Sequence, residues 1–146
     1  MKKYITYIFL SFFILPISSQ EDLWDVIREN SNFQYSAERL EIQKALKIYQ
    51  NNQYLVDRLS KNGQRYLYHM VDETLKRDMP VELALLPFIE SQFDPYAQSP
   101  AGASGIWQFI LSTAREQGLK RNWWYDGRRD IIASTNSALN LSLIHI

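Results

Sequence analysis

One stretch of the chain combines residue types that could donate a proton to a polymer of sugars. Glu90 ends a run of apolar residues, Ser91 follows it directly, and a strip with aromatic and amide side chains occupies residues 107–109. A carboxyl group can act as a general acid, and aromatic rings beside an amide suit a surface that holds sugar rings. The pattern therefore predicts a site that binds a glycan and protonates it.

The expected setting of Glu90 favours the protonated acid. A helix that ends at this residue presents free carbonyl groups, whose partial negative charge opposes ionisation of a carboxylate. Burial against Phe88 and Phe93 would act in the same direction. A protonated carboxyl group is what cleavage of a glycosidic bond requires of its proton donor. Position alone also allows a glutamate that only faces solvent.

Composition argues against several other kinds of chemistry. The chain has 2 histidines and no cysteine, so neither a Ser-His-Asp triad nor a zinc cluster is predicted. The turn at residues 102–105 lacks the lysine that completes a phosphate-binding loop. No metal or cofactor is implied. The 16 basic residues balance the 16 acidic ones, which argues against a nucleic-acid surface.

The N-terminus predicts an exported protein. Two lysines precede a mainly apolar run over residues 4–17, and small residues follow before the first acidic pair. This is the order of a secretory signal peptide, predicted here over residues 1–20. A membrane anchor is the alternative, but the run is shorter than the roughly 20 residues of a spanning helix. Export without cysteine favours the periplasm or cell envelope of a bacterium.

The remaining sequence predicts an all-α fold. Apolar residues spaced by three and four over residues 54–75 predict a helical face, which Gly63 could divide into two helices. Pro80 suits the first turn of a new helix, and the apolar run 81–89 predicts a buried central helix with its last turn kinked by Pro87.

Downstream, the pattern alternates turns and helices. Small residues predict a turn over 99–105, followed by a helix over 107–117 that ends at Gly118. Asp130 is the expected N-cap of a last helix over 131–139. The intervening loop is expected to act as a structural clamp through Trp123, Trp124, Arg128 and Arg129.

Four segments together resemble the catalytic domain of bacterial lytic transglycosylases, most nearly the membrane-bound D-type branch. Two of them form the central motif, ESQFDP at residues 90–95 and SPAGASGIWQFI at residues 99–110. The other two are MPVELALLP at residues 79–87 and WWYDGRRD at residues 123–130. A further likeness at residues 23–28 extends the resemblance over most of the chain.

The resemblance implies a lysozyme-like, mostly helical fold that acts on peptidoglycan. Glu90 would protonate the oxygen between N-acetylmuramic acid and N-acetylglucosamine, and would then accept the proton of the muramyl C6 hydroxyl. That hydroxyl closes on C1 and leaves a 1,6-anhydro sugar, so one carboxyl group suffices where glycosidases normally use two. The implied substrate-contacting residues are Ser91, Ser99, Gly105, Trp107, Gln108 and Phe109.

Several alternatives remain open at these positions. Ser91 either orients Glu90 or caps the helix end, and of Trp107 and Phe109 one is expected in the core and the other in the groove. For Gly105, the expectation is a backbone that approaches the sugar closely. The alternative functions are a lysozyme-type muramidase and a non-catalytic peptidoglycan-binding module. The expected partner is the glycan strand, bound by a monomer associated with the outer membrane or the cell wall.

The predicted organisation has four parts. They are a signal peptide at 1–20, an N-terminal helical segment at 21–79, a truncated catalytic core at 80–140 and a non-native tail at 141–146. The tail reads like a translated sequencing adapter, although a genuine apolar tail is the alternative. Leu111 stands where the family usually has proline, and the downstream tyrosine segment and carbohydrate-binding repeats of the branch do not follow. A chain without them would lack one wall of the groove.

Overall fold

A computed structural model describes residues 22–31 and 39–143. The predicted signal peptide lies outside these residues. The elements are α1 (Leu23–Asn30), α2 (Leu40–Gln50), α3 (Gln53–Gly63), α4 (Leu67–Leu75), a 3-10 helix (Val81–Leu85), α5 (Leu86–Glu90), α6 (Leu111–Glu116) and α7 (Ile131–Leu143). In this part of the chain, extended pairing is limited to isolated bridges. The predicted all-α class is confirmed.

Gly63 does separate two helices. It is the last residue of α3, and α4 begins four residues later at Leu67. A Cβ atom on Gly63 would lie 3.4 Å from the ring of Phe88, so the glycine also lets this ring pack against the end of α3. The prediction of a division at Gly63 is confirmed.

The main core lies where α4 meets the 3-10 helix. Met70 and Val81 are fully buried. The buried hydroxyl of Thr74 satisfies its hydrogen-bonding capacity by donating to the carbonyl of Met70 at 2.7 Å. Burial of a side chain such as Met70 contributes about 1.5–3 kcal/mol. The buried members of this cluster are Ile27, Leu67, Met70, Val71, Val81, Ala84, Phe93 and Ile106. This one core contains residues from both the predicted N-terminal segment (21–79) and the predicted catalytic core (80–140). The division of the chain into these two parts stays a prediction.

The prediction of one buried helix over residues 81–89 is wrong. A 3-10 helix ends at Leu85, and Pro87 lies in the first turn of α5 rather than kinking a last turn. Proline has no N–H to offer the preceding turn, and it is well placed where a new helix begins. Only one face of α5 is covered, because Pro87 is buried whereas Ile89 is 81% exposed.

The helix predicted over residues 107–117 is shorter than expected. It begins at Leu111 because the preceding residues are not helical. Gln108 has a φ of 50°, and the carbonyl of Phe109 accepts a hydrogen bond from the N–H of Ser104 at 3.0 Å. The predicted end is confirmed: Gly118 has a φ of 74°, and the N–H of Leu119 reaches back to the carbonyl of Ala114 at 2.8 Å. This is the six-to-one bond of a Schellman cap.

The last helix begins as predicted and runs further. Asp130 accepts a hydrogen bond from the N–H of Ala133 at 2.9 Å, which confirms the N-cap. The helix continues to Leu143, four residues beyond the predicted end at 139. Arg77 ties α4 to α7, donating to Asn136 at 2.7 Å while it pairs with Glu73 at 2.6 Å. Among the described helices, none has the length and apolar character needed to cross a bilayer.

Candidate active site

Glu90 is the last residue of α5 and stands beside a groove of about 260 Å³. The other lining residues come from α5, the 107–110 turn, α6 and α7: Leu86, Trp107, Gln108, Phe109, Ile110, Thr113, Ala138, Leu141 and Ser142. Within the part of the chain that the structure describes, Glu90 is the single ionisable side chain of this lining. An acid therefore stands alone in an otherwise uncharged and largely apolar groove.

The expected burial of Glu90 is wrong. Its side chain is exposed, whereas Phe93 is only 1% exposed and packs edge-on against Phe88 with ring centroids 4.5 Å apart. The reason is the shortness of α5: with Pro87 facing the core, the helix ends with Ile89 and Glu90 pointing outward. The position at the carbonyl end of a helix is as predicted.

Ser91 caps α5 and joins it to the next turn. Its hydroxyl donates to the carbonyl of Ile106 at 2.8 Å, with the carbonyl of Pro87 at 3.3 Å, and its N–H bonds Pro87 at 3.1 Å. Of the two predicted roles, helix capping is observed, and orientation of Glu90 stays a prediction. Contact between Ser91 and substrate stays a prediction.

The chain reverses sharply after the acid. Gln92 and Phe93 have φ values of 55° and 58°, in the left-handed region that costs about 1–2 kcal/mol per non-glycine residue. Helix α3 holds this turn, since Asn62 donates to the carbonyl of Gln92 at 3.0 Å and Arg58 donates to the Gln92 side chain. The reversal sends Phe93 into the core while Glu90 stays at the surface.

Ser99 shapes the turn that follows. Its hydroxyl accepts the N–H of Ala103 at 3.1 Å, and its own N–H bonds the carbonyl of Ala103 at 2.9 Å. Ser99 is not part of the lining of the Glu90 groove. A contact between Ser99 and the glycan stays a prediction.

Gly105 lets two segments of the protein backbone approach each other closely. Its φ is 83°, and a Cβ atom there would lie 1.7 Å from the carbonyl oxygen of Arg128. The space beside its Cα is filled by the loop before α7, and a close approach of the Gly105 backbone to the substrate stays a prediction.

Gln108 and Trp107 bring polar groups to the groove. Gln108 is held by its side-chain N–H group, which donates to the carbonyl of Gly105 at 2.8 Å. The indole N–H of Trp107 donates to the hydroxyl of Thr135 on α7 at 2.9 Å. Trp107 is half-buried between the two core clusters, whereas Phe109 is 6% exposed. Phe109 therefore takes the core role, and Trp107 is the aromatic residue with surface left for the groove.

The predicted arginine clamp is present. Arg128 is buried and donates to Asp126 at 2.6 Å, to the carbonyl of Gly102 at 2.9 Å and to that of Phe109 at 3.3 Å. Hydrogen bonds from Arg128 hold the pKa of Asp126 below its ordinary value. Arg129 adds a bond to the hydroxyl of Ser104 at 3.0 Å. Together they fix the turn that carries Trp107 and Gln108.

The two neighbouring tryptophans are not part of that clamp. Trp123 is 81% exposed and Trp124 is 78% exposed, so their predicted structural role is wrong. They border a second groove, of about 510 Å³, that shares no lining residue with the first. A pair of adjacent tryptophans inside an otherwise polar loop was the sequence signal for this surface.

Sequence comparison assigns this helical chain, with its single acid beside a groove, to a class of proteins. The family model described as the transglycosylase SLT domain matches residues 68–142, just over half of the chain. This chain therefore belongs to the transglycosylase SLT family.

Two individual proteins are also similar to this chain. The membrane-bound lytic murein transglycosylase D of Escherichia coli strain K12 is 44% identical over 126 residues, which is 86% of this chain and 27% of the relative. A putative tributyltin chloride resistance protein of Alteromonas sp. strain M-1 is 47% identical over 81 residues, 56% of this chain and 39% of the relative. The chain spans about a quarter of the length of the Escherichia coli protein.

Proposed function

We propose that this chain cleaves the β-1,4 bond between N-acetylmuramic acid and N-acetylglucosamine in peptidoglycan and leaves 1,6-anhydromuramyl ends. One observation carries the proposal: Glu90 is the single ionisable side chain lining its groove in the described part of the chain. Hydrolytic glycosidases normally place a second carboxyl group about 5–10 Å from the first. A reaction in which the substrate supplies its own nucleophile needs no such partner.

The chemistry assigned to Glu90 uses one carboxyl group twice, first as an acid and then as a base. Its carboxyl group donates a proton to the glycosidic oxygen, the bond from this oxygen to muramyl C1 breaks, and positive charge develops at C1. The resulting carboxylate then accepts the proton of the C6 hydroxyl of the same sugar, whose oxygen bonds to C1. Glu90 ends protonated and water is not consumed.

The neighbouring residues are assigned to positioning. The bond from Ser91 to Ile106 sets the end of α5 against the turn that carries Trp107 and Gln108. In the described residues, no donor is bonded to the side-chain oxygen of Gln108, which is therefore available to an amide or hydroxyl of the sugar.

The test is digestion of purified sacculi by the wild-type chain and by Glu90→Gln. We expect anhydromuramyl products, which are lighter than hydrolysis products by one water in mass spectrometry, and their loss in the variant. A matched control is Glu116→Gln on α6, whose side chain is also exposed but does not line the groove. It is expected to retain full activity.

Other outcomes identify the alternatives. Reducing-end products from the wild type would mean a lysozyme-type muramidase. Equal binding of sacculi by wild type and Glu90→Gln, with product from neither, would mean a binding module. Glu116→Gln losing activity as completely as Glu90→Gln would remove the basis for assigning the reaction to Glu90.

We further propose that the protein works in a bacterial cell envelope as a monomer. The name of the Escherichia coli relative includes both murein and membrane attachment, and peptidoglycan is an envelope polymer. The signal-peptide pattern of residues 1–20 supports export. Fractionation of expressing cells should recover a processed chain outside the cytoplasm; an unprocessed cytoplasmic chain would contradict export.

A further inference from the structure

Two indole rings stack against each other at the surface. The ring centroids of Trp123 and Trp124 are 3.5 Å apart with a tilt of 35°, and both side chains are more than three-quarters exposed. Two adjacent exposed tryptophans form an apolar surface patch, and such patches are typical of ligand-binding and partner-binding surfaces. The catalytic assignment of Glu90 does not use either ring.

Hydrogen bonds order the loop that carries the two rings. The side-chain oxygen of Asn122 accepts the N–H groups of Trp124 at 2.9 Å and Tyr125 at 2.8 Å, and the Asn122 N–H bonds the Tyr125 carbonyl at 2.8 Å. Asp126 pairs with the buried Arg128 below. The rings are therefore presented by a fixed backbone, which lowers the ordering cost of binding.

The groove beside the rings is polar and nearly neutral. Its remaining lining residues are Tyr96, Gln98, Arg121, Asn122, Tyr125, Asp126, Arg128, Arg129 and Asp130. Asp126 is shared between Arg128 at 2.6 Å and Arg121 at 3.4 Å, and Asp130 accepts the hydroxyl hydrogen of Tyr125 at 2.9 Å. Three arginines and two aspartates leave this lining with a net charge of only +1, so the groove suits a polar ligand without strong charge rather than a polyanion or a cation.

We infer that the Trp123–Trp124 groove is a second glycan-binding site that takes N-acetylated amino-sugar units of the strand. A pyranose ring has an apolar C–H face that stacks on an indole, and an edge of hydroxyl and amide groups that requires hydrogen-bond partners. The groove offers both surfaces together, two indole faces and a polar wall. The choice of a glycan as occupant rests on the proposed function.

Arg128 connects this groove to the groove that Glu90 lines. Arg128 lines the tryptophan groove and donates to the carbonyl of Phe109, which lines the Glu90 groove. One rigid frame therefore carries both sites. A strand held by the tryptophans would be retained near the acid without touching the reacting bond, so the site acts on KM and leaves kcat unchanged.

The binding test follows the indole N–H signals of the full chain by NMR during titration with chitotetraose, the tetramer of N-acetylglucosamine. The chain has 4 tryptophans, so each signal can be assigned with single substitutions. We expect the signals of Trp123 and Trp124 to shift on titration. Trp123→Ala combined with Trp124→Ala should weaken binding by at least about tenfold, as loss of aromatic anchors typically does.

The matched control is Tyr54→Ala, which removes an aromatic side chain that is 75% exposed on α3, outside this groove. It should bind chitotetraose as the wild type does. Circular dichroism checks that the double variant is folded, which its exposed side chains lead us to expect.

The outcomes separate this inference from the proposed function. Shifts confined to Trp107 would overturn the second site while leaving the Glu90 groove as a sugar site. No shift of the Trp123 and Trp124 signals, or equal affinity in the double variant, would also overturn it. Anhydromuramyl product from sacculi is scored separately with the same preparations: the proposed function fails if that product is absent, whatever the tryptophans bind.

Discussion

Within the described residues, the position of Glu90 depends on hydrogen bonds of its neighbours, since its own side chain makes none. Pro87 anchors one side of the five-residue helix α5 in the core, and Ser91 ties its end to the carbonyl of Ile106 at 2.8 Å. A carboxyl group with this freedom can move between a proton donor and a proton acceptor position. Its precision depends on the backbone beneath it.

Ser91→Ala should reduce activity more than stability. Loss of one partly buried hydrogen bond costs about 1 kcal/mol of unfolding free energy, but it also releases the end of α5 from the turn with Trp107. We expect kcat on sacculi to fall about tenfold, since a small displacement of an acid has an effect of this order or larger.

The control for that change is Ser91→Thr, which keeps a hydroxyl group and should recover most of the rate. Chemical denaturation of the three proteins separates folding from catalysis. A variant Ser91→Ala with unchanged kcat would show that the bond to Ile106 does not position the acid.

Gly105→Ala should be severely destabilising, whereas Gly102→Ala should be mild. Both glycines have left-handed backbones, with φ values of 83° and 81°. At Gly105 the new methyl group would lie 1.7 Å from the Arg128 carbonyl oxygen, whereas at Gly102 it meets nothing within 4 Å. Gly102→Ala carries only the left-handed strain of about 1–2 kcal/mol.

Thermal denaturation measures this difference directly. We expect Gly105→Ala either to fail to fold or to lose at least about 4 kcal/mol of unfolding free energy. Single substitutions cause losses of this size only through a severe local defect, here a steric clash. Equal losses in the two variants would mean that the loop before α7 does not pack on Gly105 as described.

At the scale of elements, one partly buried ion pair joins the loop before α7 to two turns. Asp126 and Arg128 have side chains that are 15% and 7% exposed, and Arg128 also bonds the carbonyls of Gly102 and Phe109. A hydrogen bond to a charged group contributes about 1.5–3 kcal/mol, less than the cost of leaving a fully buried charge unpaired. Asp126→Asn should therefore lower the unfolding free energy at neutral pH by about 2 kcal/mol.

The cost of Asp126→Asn should depend on pH. Because Arg128 lowers the folded-state pKa of Asp126, its stabilisation is complete above the ordinary value of 3.8 and is lost as pH falls below it through the folded value. The difference between wild type and variant should therefore shrink with acidification in that range. Urea unfolding at a series of pH values tests this; a difference that stays constant in strong acid would contradict it.

At the scale of the whole molecule, stability is uneven along the chain. Helix α2 contains no buried residue, and its Leu40 and Ile48 are each 62% exposed. Helix α4 buries Leu67, Met70, Val71 and Thr74. A segment with little buried apolar surface opens locally at low free energy.

Hydrogen exchange should therefore be much faster in α2 than in α4. We expect amides of α2 to exchange at least about a hundredfold faster, since local opening of an unpacked helix requires little of the global free energy. Helix α4 in the same sample is the internal control. Similar protection of the two helices would mean that α2 is covered by a partner or by part of the chain outside the described residues.

Local signals in the sequence determined the helical class and several helix ends. Gly63 divides α3 from α4, Gly118 stops α6, Asp130 caps α7, and Glu90 ends a helix, all as predicted. Caps and breakers act through the backbone of one turn, so a few neighbouring residues are sufficient to specify them. The family motif added the assignment of the acid, through likeness rather than geometry.

Only the tertiary structure decided which of those residues are covered. It exposes Glu90, fills the space beside Gly105 with the Arg128 carbonyl, and leaves Trp123 and Trp124 at the surface. Each of these depends on contacts between segments far apart in the chain, such as the bond from Arg128 to Phe109. Sequence patterns report the preference of a side chain for burial; which face of an element is covered depends on what packs against it.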